Sequence, residues 1–152
     1  MAVPQATLER VADGTPLLGK SRTMRILLAD DDRLMRMLVS VSLDCVEGID
    51  ITEACDGTEA WNLLRREYFD VVLLDWLMPG ISGLKIVRDA RAAGMHVPII
   101  MMTAEAKKDR VVEAIRSGVS DYIVKPFDTS TLWAKLKRVC PNAPRSLCGT
   151  AE

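Results

Sequence analysis

The chain has no run of the ~18 consecutive apolar residues that a membrane-spanning helix needs. A signal peptide is not expected. Glu9, Arg10 and Asp13 interrupt the only weakly apolar stretch before Met24. Neither sign of charge is in excess. The 20 Lys and Arg residues face 21 Asp and Glu residues, for a net charge of −1, which excludes a strongly basic nucleic-acid binder and an acidic tail protein. The four cysteines, Cys45, Cys55, Cys140 and Cys148, form no C-x-x-C pair, which argues against structural zinc and a thioredoxin-type site. Cys45 and Cys55 read as small buried hydrophobes, and Cys140 and Cys148 as a pair that oxidation could join. His96 is the only histidine and reads as a surface loop residue, not a ligand. These absences place the chain in a reducing cytoplasm, with neither membrane nor nucleic acid as a partner.

What is present is enough for one domain. A chain of 152 residues with 49% apolar and 27% charged residues buries roughly 68–70% of its unfolded surface without staples. Breakers crowd both ends: Pro4, Gly14, Pro16 and Gly19, then Pro141, Pro144 and Gly149. We therefore expect an N-terminal extension over residues 1–23, a domain over 24–140 and a flexible tail over 141–152. Met24 is a candidate for the true start.

Between the ends, strand-length apolar runs alternate with helical stripes. The runs are Arg25–Ala29, Ile49–Ala54, Val71–Leu74, Ile99–Met102 and Asp121–Val124. The first stripe is Leu34, Met37, Leu38, Val41 and Cys45, whose offsets of 3, 4, 7 and 11 mark one helix face, taken as the core face. Ala60, Leu63 and Leu64 form the second stripe, and Gly83, Ile86, Val87 and Ala90 the third. Val111, Ala114 and Ile115 form the fourth, and Leu132, Leu136 and Val139 the fifth. Such alternation predicts an α/β fold, a doubly wound parallel sheet with helices on both faces. Folds of this kind bind ligands beyond the carboxyl ends of the strands.

The residues after the strands are polar in a pattern. Asp30, Asp31 and Asp32 follow the first strand, Asp75 the third, Thr103 the fourth and Lys125 the fifth. A single Asp after a strand normally caps the next helix; three in a row overfill that role. Two carboxylates about 4 Å apart repel by roughly 4 kcal/mol at an effective dielectric of about 20, so gathered acids raise one another's pKa values or recruit a cation. With oxygen ligands only, that cation is hard, Mg²⁺ or Mn²⁺. Lys125 and the Thr103 hydroxyl could then serve a phosphate.

Four segments carry a family resemblance: ILLADDD at 26–32, VVLLDWLMPGISG at 71–83, PIIMMTAEAKKD at 98–109 and GVSDYIVKPF at 118–127. Residues 24–140 resemble the receiver domain of two-component response regulators, most of all the single-domain, CheY-like members of chemotaxis systems. The resemblance implies a flavodoxin-like three-layer sandwich of five strands in the order 2-1-3-4-5. It implies that Asp75 accepts a phosphoryl group from a sensor histidine kinase or a histidine phosphotransfer protein. Asp30, Asp31, Asp75 and the Leu77 carbonyl would hold Mg²⁺. Lys125 would pair with the phosphoryl group across a cis Lys125–Pro126 bond. Thr103 and Tyr122 would act as switch residues.

The output implied is a change in affinity of residues 106–139 for an effector such as a flagellar motor switch component. The chain would be a monomer and not a multiple-turnover enzyme. A phosphorelay intermediate that passes the phosphoryl group to another histidine is the alternative. Two departures stand out. Leu77 lies where CheY carries an amide that serves dephosphorylation, and Ser82 lies where an acid is frequent and reads as a helix cap. A phosphatase of the haloacid dehalogenase type is disfavoured, because its D-x-D-x-T/V pattern fails at Leu34. A DNA-binding regulator would need more than the residues that follow Cys140. Trp76, beside Asp75, should report the site by fluorescence, with Trp61 and Trp133 as background.

Overall fold

The computed structural model describes residues 23–105, 107–141 and 143. The terminal segments expected as extension and tail, with Cys148, lie almost wholly outside them. Strands and helices alternate as β1 (Met24–Ala29), α1 (Arg33–Leu43), β2 (Ile49–Ala54), α2 (Gly57–Arg66), β3 (Val71–Asp75), α3 (Gly83–Ala92), β4 (Ile99–Thr103), α4 (Lys108–Ser117), β5 (Asp121–Val124) and α5 (Thr129–Val139). Every strand pair is parallel and the sheet order is β2-β1-β3-β4-β5. This is the doubly wound α/β sandwich expected. No helix among the described residues is long and apolar enough to cross a membrane.

The two layers follow from the pleat, since successive strand side chains point to opposite faces. Ile26 and Leu28 join Val71, Leu73, Ile100 and Met102 in a core with Val39 and Leu43 of α1 and Leu132 and Leu136 of α5. Leu27 and Ala29 join Val72, Leu74, Ile99 and Met101 in a second core with residues of α2, α3 and α4. A strand covered on both faces must be apolar at nearly every position, which is why VVLL and IIMM read as unbroken runs.

Four of the five helices, all but α4, start at a side-chain cap. The carboxylates of Asp32, Asp56 and Asp128 accept from the backbone N–H groups of Leu34, Glu59 and Thr131 at 2.8–2.9 Å. Ser82 Oγ accepts from Lys85 N at 3.2 Å, so this residue does cap α3. Gly118, at φ 110°, closes α4 in the left-handed region that side chains avoid.

Four details differ from the sequence reading. The stripe Leu34, Met37, Leu38, Val41 and Cys45 faces solvent, not the core. α1 carries a second apolar stripe, Met35, Val39 and Leu43, and that one packs on the sheet. Its rotation is set by Arg36, whose Nη1 donates to the Asp30 carbonyl at 2.6 Å. Cys55 is exposed as well. Ile115 of α4 also points outward, while Ala114 is buried. β3 and β4 each run one residue further than the apolar pattern, because the ladder continues through Asp75–Met102 and Thr103–Val124.

Candidate functional site

The sheet brings the polar residues of four separate segments to one rim. Asp30 follows β1 directly and Asp75 is the last residue of β3. Thr103 is the last of β4, and Lys125 follows β5. Strand ends are rigid supports, so the functional groups are placed by backbone pairing and not by loop conformation. The Lys125 N–H donates to the Thr103 carbonyl at 2.8 Å, and the Trp76 N–H to the Met102 carbonyl at 3.1 Å. These bonds carry the ladder into the rim itself.

Lys125 Nζ donates to Asp30 Oδ2 at 2.8 Å and to Asp75 Oδ1 at 3.1 Å. Asp30 is fully buried and Asp75 nearly so, while Asp31 is exposed. Asp30 Oδ1 also accepts from the Asp32 N–H at 2.9 Å, a bond that shapes the acidic loop. Burial and the negative charge of Asp30 push the Asp75 carboxyl up to about 6, against the pull of Lys125. For Lys125, burial works to lower the ammonium, but the hydrogen bonds and charges of Asp30 and Asp75 outweigh it and hold its pKa above the usual value. One cation thus lies between two buried acids and leaves Asp75 short of countercharge.

The donor set fits a hard divalent ion. One carboxylate oxygen from each of Asp30, Asp31 and Asp75 lies within 4.8 Å of the others, and neither sulfur nor imidazole belongs to the group. Mg²⁺ favours such a set of few carboxylates completed by water and phosphate oxygens. Leu77 stands two residues beyond Asp75 with its side chain exposed at the rim.

Thr103 and Tyr122 lie on the far side of Asp75 from the acidic loop. Thr103 Oγ1 donates to the Glu105 carbonyl at 2.9 Å and accepts from the Glu105 N–H at 3.1 Å. Its hydroxyl is therefore held by the loop after β4. Tyr122 is half-buried, with Lys135 Nζ 5.2 Å from its ring centroid. Trp76, Thr103, Arg110 and Tyr122 line one small space under α4. The Lys125–Pro126 bond is cis. Trp61 and Trp133 are half-buried against the two cores, and His96 is exposed in its loop.

Three contributors escape a reading by sequence. Arg36 joins the Asp30 carbonyl to Glu53 of β2 through its Nη1 and Nε. Arg110 lays its guanidinium 5.1 Å from the Trp76 ring centroid. Gly83 presses α3 against the Asp75 backbone. The first two sit among other cations, and nothing in their spacing marks them. Gly83 at the start of a helix is a signal, because glycine there costs about 1 kcal/mol against alanine and implies a close neighbour.

Comparison with known proteins is consistent with this site. The family model described as the response regulator receiver domain matches residues 26–137. Chemotaxis protein CheY-3 of Vibrio cholerae is 40% identical over 121 residues, which are 78% of this chain and 93% of that protein. Chemotaxis protein CheY of Pseudomonas aeruginosa is 39% identical over 118 residues, 76% of this chain and 95% of that one. Among solved structures, chemotaxis response regulator CheY4 of Vibrio cholerae aligns with a TM-score of 0.71 at 32% identity, over 77% of this chain and 98% of its own. A Francisella response regulator receiver domain aligns with a TM-score of 0.73 at 30% identity, over 77% and 96%.

Proposed function

The chain belongs to the response regulator receiver domain family, and from that premise we propose that Asp75 is a phosphoacceptor that takes a phosphoryl group from a phosphohistidine. The observation that carries this reading is the Asp75 carboxylate at the end of β3, 3.1 Å from Lys125 Nζ and grouped with Asp30 and Asp31. An Asp75 oxygen attacks phosphorus in line, the phosphorus–nitrogen bond breaks, and the imidazole leaves with a proton from solvent. Lys125 pairs with a phosphoryl oxygen. Catalysis of this transfer is largely positioning and charge neutralisation, which a rigid rim of acids and one lysine supplies.

Receiver domains bind Mg²⁺ through an acidic pocket, and here Asp30, Asp31 and Asp75 would hold it, with the Leu77 carbonyl. When bound, Mg²⁺ neutralises charge on the transferring oxygens. The chain itself is modified once per event and is not a turnover enzyme.

The new oxygens at Asp75 then compete with Glu105 for the Thr103 hydroxyl. A Thr103 that turns toward the phosphoryl group vacates space under α4 for Tyr122. The surface of α4, β5 and α5 changes with it. Couplings of this size are commonly about 1–3 kcal/mol, a bias on partner affinity rather than an absolute switch. The relatives' names point to chemotaxis, which supports a flagellar motor switch component as the partner.

The test is labelling with radioactive acetyl phosphate and Mg²⁺. We expect label on the wild type and none on Asp75→Ala. An unlabelled wild type, or equal label on the variant, overturns the reading.

The same assay followed over time addresses Leu77. A leucine at the rim cannot orient a hydrolytic water, whereas an asparagine can. Leu77→Asn should shorten the lifetime of the phosphoform by roughly tenfold, the scale of a modest contribution to water positioning. A variant that loses label no faster than the wild type rules out this role for position 77.

A further inference from the structure

The end of the sheet away from Asp75 holds a cavity that neither the site nor the output face uses. It measures about 410 Å³ and is formed by the segments that lead into β3 and β4. Leu64, Phe69, Met95, Val97 and Pro98 line it, and Leu64 and Phe69 are buried members of the core behind. Its size and apolar lining are those of a pocket that takes an occupant.

Charge narrows the occupant. Among the described residues that line the cavity, Glu67 and Asp70 are carboxylates and none is Lys or Arg. His96 carries no formal charge at pH 7. Arg25 pairs with Glu67 at 2.7 Å and with Asp50 at 3.9 Å, so with Asp70 one cation meets three acids. Arg91 donates to the Met95 and Gly118 carbonyls and does not line the cavity. An apolar segment flanked by positive charge suits such a mouth.

The chain itself supplies that segment. β1 starts beside the cavity: the Arg25 N–H donates to Asp70 Oδ2 at 2.7 Å, and the Asp70 N–H to the Arg25 carbonyl at 2.8 Å. The residues before β1 run Pro16, Leu17, Leu18, Gly19, Lys20, Ser21 and Arg22, with no acid between Asp13 and Asp30. Five extended residues reach about 17 Å, whereas β4 lies two strand spacings from β1, about 10 Å. We infer that residues 16–22 fold back over this cavity. Leu17 and Leu18 enter its apolar lining, and Lys20 and Arg22 meet Glu67 and Asp70. The residues before Met24 then belong to the folded protein, as a strap across the segments that lead into β3 and β4.

Nuclear magnetic resonance of the full chain, with labelled methyl groups, tests this at pH 7. We expect Overhauser contacts from the Leu17 or Leu18 methyls to the Phe69 ring and the Met95 methyl. The double change Leu17→Asp, Leu18→Asp should abolish them, move the Met95 methyl resonance and lower the melting temperature by about 4 °C. Lys20→Glu with Arg22→Glu should lower the docked-to-free ratio roughly fivefold, and salt at about 0.5 M should lower it too. All the changed residues precede β1, so the receiver fold is kept. A wild type without these contacts, or a docked ratio indifferent to charge reversal, overturns the proposal. So do contacts that form only between differently labelled copies, which give the cavity to a second chain. So does a wild type without contacts whose Met95 methyl shifts with millimolar phenethylamine, which gives the cavity to a free aromatic amine.

Discussion

Lys125→Ala should slow the labelling of Asp75 by acetyl phosphate by roughly 10²- to 10³-fold, the usual cost of losing one preorganised group that faces developing charge. Lys125 Nζ is the cation within hydrogen-bond distance of both Asp30 and Asp75, and both acids are shielded from water. Without it, an incoming phosphoryl group meets two carboxylates and no countercharge from the protein. Excess Mg²⁺ recovers part of the rate, since it supplies charge at the same rim, but not the hydrogen bond from Nζ.

The same variant should lose stability in metal-free buffer. Removing one member of a buried ion cluster costs about 3 kcal/mol, or on the order of 10 °C in melting temperature for a chain of this length. The pH dependence has a definite sign. Asp75 titrates near 6 in the folded chain against 3.8 as its ordinary value, so folding favours its protonated form. Below pH 4 both folded and unfolded chains hold the proton, and the site adds no penalty. As pH rises from about 4 through 6, the unfolded chain releases the proton first and stability falls. Lys125 is what limits that fall, and its own raised pKa keeps it charged throughout this range. The gap between wild type and Lys125→Ala should therefore widen between pH 4 and pH 7, read by thermal melts in chelator. A gap that is flat over this range, or labelling within threefold of wild type, would show that Lys125 does not hold the two acids together.

Gly83→Ala should damage both the fold and the site. An added Cβ would lie 2.1 Å from the Asp75 carbonyl oxygen, closer than real contacts come, and a tight 3.1 Å from its carbon. Neither side can retreat easily. The β3 backbone is paired with β1 through Leu74 and with β4 through Asp75, and α3 is tied to Trp76 by the Gly83 N–H at 2.9 Å. The expected cost is about 3–5 kcal/mol, the upper range for overpacking a core, with reduced Asp75 labelling in whatever folds. Gly94→Ala is the control. Gly94 has φ +83° but open space around it, so alanine pays only backbone strain of about 1–2 kcal/mol. Urea denaturation of the two variants separates the cases. If Gly83→Ala costs no more than Gly94→Ala, close approach to Asp75 is not why glycine is there.

The legibility of the site has a simple origin. Parallel strands place their carboxyl ends together whatever lies between them, so Asp30, Asp75, Thr103 and Lys125 could be grouped from their positions after apolar runs. The ladder bonds that extend β3 through Asp75 and β4 through Thr103 only tightened that grouping. Arg36 was not legible, because it acts on the Asp30 carbonyl, and a backbone acceptor leaves no mark in side-chain pattern. Arg110 pairs with Trp76 across two elements, a contact that depends on how far α4 rolls over the sheet.

The facing of α1 marks the boundary most clearly. Strand and helix order, the cap at Ser82 and the polar rim all rest on local periodicity and neighbouring backbone groups, and so were determined by the sequence alone. α1 has two apolar stripes with nearly the same period, and periodicity is blind to which one a helix buries. Only the tertiary structure decided between them. Arg36 bonded inward to the Asp30 carbonyl, Val39 and Leu43 filled the space between the sheet and α5, and Leu34, Met37, Leu38 and Val41 were turned to water.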